Sequence, residues 1–161
     1  GLEAVVNVGP VQVVGEYMNT WLERDPPSDG RLHFSGGYAY VSYFLTGEHM
    51  AWDRESGELD RVIPFENFFL VDTCSGECGR GWGAWQVALR YSYGDLTDRD
   101  ILGGVGESVT FGLNWLWNPN ARMQFNYIWG RISERNVTDE NGFVATGGDY
   151  QILGARFMVD F

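Results

Sequence analysis

Apolar and polar residues alternate one for one through several long stretches of this chain. Across 84–93 the odd positions are Trp85, Val87, Leu89, Tyr91 and Tyr93, and the even positions are Ala84, Gln86, Ala88, Arg90 and Ser92. Across 107–117 the odd face is Val109, Phe111, Leu113, Trp115 and Trp117, opposite Thr110, Gly112 and Asn114. Across 122–130 Met123, Phe125, Tyr127 and Trp129 oppose Arg122, Gln124 and Asn126. The last fourteen residues, GDYQILGARFMVDF, set Leu153, Ala155, Phe157, Val159 and Phe161 against Gly154, Arg156, Met158 and Asp160. Residues 11–18 repeat the theme with Val11, Val13 and Tyr17 against Gln12 and Glu16. A period of two belongs to strands, whose successive side chains point to opposite faces, and a helix does not keep it. Residues 38–45, YAYVSYFL, are apolar on both faces, so alternation leaves their sides unassigned.

The pattern predicts an all-β, antiparallel protein with seven strands: 2–8, 11–24, 34–45, 83–94, 107–117, 122–135 and 148–161. Gly9-Pro10 and Asn118-Pro119-Asn120 carry tight-turn chemistry. Long acidic, glycine-bearing loops such as 95–106 and 136–147 alternate with them. Short turns at one end and long loops at the other characterise outer-membrane β-barrels. The charged, irregular segment 46–82 starts and ends on one side and is expected to add no strand to the wall.

The identity of the two faces sharpens this reading. The apolar face is dominated by the largest rings, Trp85, Trp115, Trp117, Trp129 and Phe157, with Phe161 at the end. The other face holds small and amide groups with sparse arginines. Strands facing water outside a soluble fold favour lysine and glutamate instead. Small polar groups suit a water-filled lumen, and large rings suit the girdle where a barrel meets lipid headgroups. Hydrocarbon tolerates no open sheet edge, so such strands should close into a barrel. The expected lumen residues are Glu16, Gln86, Arg90, Asn114, Arg122, Gln124, Asn126 and Arg156. The three arginines would favour anions, because a guanidinium stays charged and offers a planar set of donors.

Composition agrees. Aromatics make up 16% and glycines number 22, which favours strands and turns. The net charge of −11 falls on the predicted loops, while the framework is neutral. An acidic total argues against nucleic-acid binding. Lysine is absent. Cys74 and Cys78 in CSGEC fit no zinc spacing and read as a small disulfide loop or as two free thiols. No metal or other cofactor is implied, and no nucleophile–base constellation points to catalysis. Residues 1–20 lack a basic start followed by an apolar run, so no signal peptide is in view. The chain opens directly in a strand pattern at Leu2, and Gly1 is expected to be an interior cut.

Five segments together resemble the C-terminal part of the phosphate-selective porins O and P: GEYM at 15–18, YVSYFLTGE at 40–48, GAWQVALRYSYGDLTD at 83–98, FGLNWLWNPNARMQFNY at 111–127 and ILGARFMVDF at 152–161. The resemblance implies a sixteen-stranded transmembrane barrel in the outer membrane of a Gram-negative-type bacterium. It implies a homotrimer that passes small anions such as phosphate. This chain would supply about seven of the strands. Phe161 would be the signal read by the barrel-assembly machinery, and 46–82 would be a periplasmic insertion that folds into the pore. Two other readings stay open on the residues alone. One is a soluble all-β domain that binds carbohydrate, with the aromatics as its core. The other is a complete small barrel with a structural or adhesive role.

Overall fold

The computed structural model describes residues 1–25, 30–53, 55–72, 78–135, 137–138 and 144–160. The described residues are strands, turns and irregular segments, without helices. Seven strands form one sheet: β1 (Leu2–Val8), β2 (Val11–Arg24), β3 (Gly30–Phe44), β8 (Ala84–Asp98), β9 (Ile101–Asn118), β10 (Ala121–Arg135) and β13 (Gly148–Val159). Their spatial order is β1-β2-β3-β8-β9-β10-β13, and every neighbouring pair is antiparallel. Six short strands make three separate hairpins: β4 (Trp52–Asp53) with β5 (Glu58–Leu59), β6 (Phe69–Asp72) with β7 (Cys78–Gly81), and β11 (Val137–Thr138) with β12 (Val144–Ala145). The large sheet is open, with β1 and β13 at its edges.

Each stretch read as a wall strand coincides with one strand of this sheet, but several strands run longer than the alternation indicates. Residues 95–106, expected as a long loop, instead extend β8 and β9 into a hairpin closed by Arg99-Asp100, with Arg99 at φ 53°. A bulge between Asp95 and Thr97 interrupts the period there, and the Asp95 carboxylate accepts from the Thr97 N–H at 2.9 Å. The backbone ladder needs no apolar partner face, so hydrogen bonding carries the strands past the point where alternation stops. Likewise β3 starts at Gly30, which pairs with Arg24, so the connection from β2 is shorter than the predicted 25–33 loop. Segment 46–82 leaves and rejoins the large sheet between the adjacent strands β3 and β8. Its described residues join none of that sheet's ladders and build two hairpins of their own.

Buried apolar residues are few. A cluster of Phe44, Val62, Ala84 and Leu116, with Met50 packed against it, sits where the inserted segment covers one end of the sheet. Phe44, Ala84 and Leu116 come from three neighbouring wall strands, and Val62 comes from the insertion. Gly83 returns the chain to β8 at φ +68°, and a Cβ there would collide with the Leu116 carbonyl oxygen. Only glycine fits that junction without strain. The cluster is a local seam, and among the described residues no second layer covers the rest of the sheet.

Candidate functional site

Because side chains alternate, the register sorts every wall residue onto one of two faces. One face lines a concavity of about 860 Å³, bordered by Arg90, Arg122, Gln86, Asn114, Gln124 and Asn126, among others. Arg156 stands directly across from Gln124, and Glu16 across from Tyr38, so both belong to the same face. All eight residues expected on a polar wall are therefore brought to one side of the sheet.

They are also wired together. Gln124 Nε2 donates to Asn114 Oδ1 (2.9 Å), Asn114 Nδ2 donates to Gln86 Oε1 (2.7 Å), and Gln86 Nε2 donates to Ser42 Oγ (3.1 Å). This ladder crosses β10, β9, β8 and β3: Gln124 donates at its start, and Asn114 and Gln86 each donate a hydrogen bond to one neighbour and accept one from the other. Gln12, only 3% exposed, accepts from the Tyr40 hydroxyl at 3.0 Å. Its Nε2 and the Oδ1 of its register partner Asn7 are both without partners among the described residues, a donor and an acceptor across the β1–β2 pair. Gln12 and Gln86 are buried, and a buried amide is costly unless bonded, so these hydrogen bonds offset the burial of the two.

The arginines differ in their surroundings. Arg90 Nε donates to Ser92 Oγ at 2.9 Å, and its guanidinium carbon lies 3.9 Å from the centre of the Tyr38 ring. Arg122 and Arg156 both reach the Met158 sulfur, at 3.7 and 3.3 Å. A fourth arginine, Arg61, arrives on the inserted segment, borders the same concavity and donates to Asn120 Oδ1 at 2.6 Å. Asp60 and Asp160 border it too, so that end is mixed in sign. The root of the insertion is pinned by Glu48, which is buried. Its carboxylate accepts from the Thr46 hydroxyl and, at 3.2 Å, from the Phe65 N–H, while Thr46 Oγ1 accepts from the Trp85 N–H at 3.0 Å.

The opposite, convex face is apolar and uncovered. Phe125 is 37% exposed, Phe157 56% and Leu153 83%. Among the described residues no second layer packs on these three side chains. Trp85 and Trp115 stack at 4.9 Å, Trp115 meets Trp117 edge-on at 5.4 Å, and Trp117 lies 5.2 Å from Phe157. Phe68 of the insertion joins this cluster, 4.5 Å from Trp115, and its N–H donates to the Trp117 carbonyl at 2.7 Å. The indole N–H groups of Trp85 and Trp115 share the Trp82 carbonyl. Trp129 lies nearer the other end, across from Val109 and Gln151. From Trp85 to Tyr93 along β8 is about 27 Å at ~3.4 Å per residue, comparable to the apolar band of an outer-membrane barrel.

Residues 1–161 match the family described as phosphate-selective porin O and P. The chain belongs to this family. An uncharacterized protein of Caulobacter vibrioides is 30% identical over 164 residues, covering 100% of this chain and 29% of that protein. Porin O of Pseudomonas aeruginosa is 26% identical over 151 residues, covering 88% of this chain and 31% of that protein. The chain thus spans about three-tenths of the length of these curated relatives.

Family membership and the all-β sheet agree with the resemblance read from the sequence. Cys74 and Phe161 lie outside the described residues, as does the side chain of Cys78. Sequence reasoning missed Tyr38, Tyr40 and Ser42, because 38–45 is apolar on both faces. It also missed Arg61, because a residue in an irregular insertion carries no periodicity to place it.

Proposed function

We propose that the chain forms part of the wall of a water-filled channel across the outer membrane of a Gram-negative-type bacterium, for passive diffusion of small solutes, anions such as phosphate among them. One observation carries this reading. A single sheet presents an amide- and arginine-bearing concave face and a bare aromatic convex face. Water on the first and hydrocarbon on the second satisfies both, which no soluble setting does. Membership of the porin O and P family supports it. Closure of the two sheet edges into a barrel, assembly as a homotrimer, and capture by the barrel-assembly machinery through Phe161 belong to the same reading. So does a periplasmic position for segment 46–82 and the two tight turns. Arg90, Arg122, Arg156 and Arg61 give the wall its anion preference. Asp60 and Asp160 beside Arg61 and Arg122 make that preference modest. The roles are those of a conduit and involve no turnover chemistry.

The test is electrical. In planar bilayers under a salt gradient, Arg90→Glu in the full-length protein moves the reversal potential toward cation preference. An unchanged reversal potential removes Arg90 from the solute path. A protein that stays monodisperse without detergent overturns the membrane assignment.

A further inference from the structure

We infer that Tyr38 is a positioning residue for Arg90, holding its guanidinium against the wall and so making Arg90 a fixed charge of the strand-borne face. The inference rests on the channel reading above and goes beyond it, because it assigns selectivity to a neutral ring. Tyr38 and Tyr40 stand on β3 directly opposite Ser92 and Arg90 of β8. The two rings are nearly parallel, 9° apart with centroids at 6.4 Å, and the Tyr40 hydroxyl is tied to Gln12. The Tyr38 platform is therefore braced by a second, anchored ring. Arg90 meets it at 3.9 Å and is anchored along its stem by the Nε bond to Ser92. One donor is used in that bond, and the terminal nitrogens keep their N–H groups for other partners.

Ring and hydroxyl together confine a side chain that would otherwise spread its charge over many rotamers. Among the described residues, the hydrogen-bond partner of both Arg122 and Arg156 is a thioether, a weak acceptor. Their charge is consequently less localised than that of Arg90, so among these three arginines discrimination falls mainly on the charge that Tyr38 holds in place, with Arg61 fixed separately on the insertion.

Four variants of the full-length protein in planar bilayers under a salt gradient test this: Tyr38→Phe, Tyr38→Leu, Arg90→Gln, and Tyr38→Leu with Arg90→Gln. Tyr38→Phe keeps the ring face and leaves the anion-to-cation permeability ratio unchanged. Tyr38→Leu lowers that ratio about two- to five-fold, the range an exposed cation–ring contact supports. In the Arg90→Gln background, Tyr38→Leu has no further effect, since the two residues act as one unit. An equal loss in Tyr38→Phe, or a full effect of Tyr38→Leu without Arg90, overturns the inference while leaving the channel reading intact. Absence of any conductance in the wild type overturns the channel reading instead, and the inference with it. A second measurement needs no current. In detergent micelles the Arg90 Nε–H resonance of the wild type carries an upfield ring-current shift that Tyr38→Leu abolishes. A wild-type resonance without that shift overturns the stacking.

Discussion

Arg24 and Asp100 sit far apart in sequence and meet at the hairpin end of the sheet as a bidentate pair, with both nitrogen–oxygen distances 2.7 Å. Asp100 belongs to the Arg99-Asp100 turn, outside the wall strands. The Arg24 guanidinium holds its carboxyl below the ordinary carboxylate range, chiefly through that hydrogen bond. A depressed carboxylate contributes stability that is present above its unfolded value of ~3.9 and is lost as pH falls through the lower folded value. Asp100 is exposed, so salt screens the pair and the effect is local to the hairpin tip. Carboxyl NMR titration should therefore give Asp100 a midpoint below ~3.9, and Arg24→Gln should return it to the ordinary range. Nothing in the sequence pairs these two residues. Arg24 ends one predicted strand, and Asp100 lies inside what alternation reads as a loop.

Among the elements, the ladder over β3, β8, β9 and β10 shows what strand pairing adds to residue pattern. Alternation alone assigns Gln86, Asn114 and Gln124 to one face. Only the register places Gln86 across from Asn114 and Asn114 across from Gln124. Asn114→Leu removes the donor to Gln86 and the acceptor of Gln124 on a half-buried wall, and is expected to destabilise by about 0.5–1.5 kcal/mol, the net contribution of an ordinary hydrogen bond. Adding Gln86→Leu should cost less than the sum of the single changes, because the two amides share one bond. Urea unfolding of the protein folded in lipid vesicles, followed by tryptophan emission, measures both. The insertion shows the opposite limit. Segment 46–82 has neither period nor long apolar run, and its path is set by tertiary contacts: Glu48 at its root, Val62 in the concave seam, and Phe68 on the convex aromatic cluster.

At the scale of the whole molecule, the proposed function puts the two faces of the sheet in different solvents, and neighbouring residues test this directly. Thr110 lines the concavity, while Phe111, the next residue, is exposed on the convex face. An arginine facing lipid near the middle of a barrel strand costs ~2–4 kcal/mol, whereas one facing a wet lumen is tolerated. Phe111→Arg should therefore impair folding into vesicles, and Thr110→Arg should fold with near-normal yield, as read by heat-modified mobility on gels. Equal tolerance of both would mean that the convex face does not meet hydrocarbon. The free edges at β1 and β13 follow the same logic, since unpaired backbone groups are tolerated in water and not in lipid.

The sequence by itself determined the class of fold, the position of each wall strand and the chemistry of its two faces. It could do so because a strand exposes successive side chains to opposite sides, and two faces of unlike chemistry are then written into alternate residues. Which amide bonds which, that Tyr38 lies under Arg90, that the strands outrun their own alternation at the hairpin end, and where Arg61 comes to rest were decided only by the tertiary structure. Those features depend on register between strands and on an aperiodic segment packing against distant ones, and no local pattern of residues encodes a contact across the sheet.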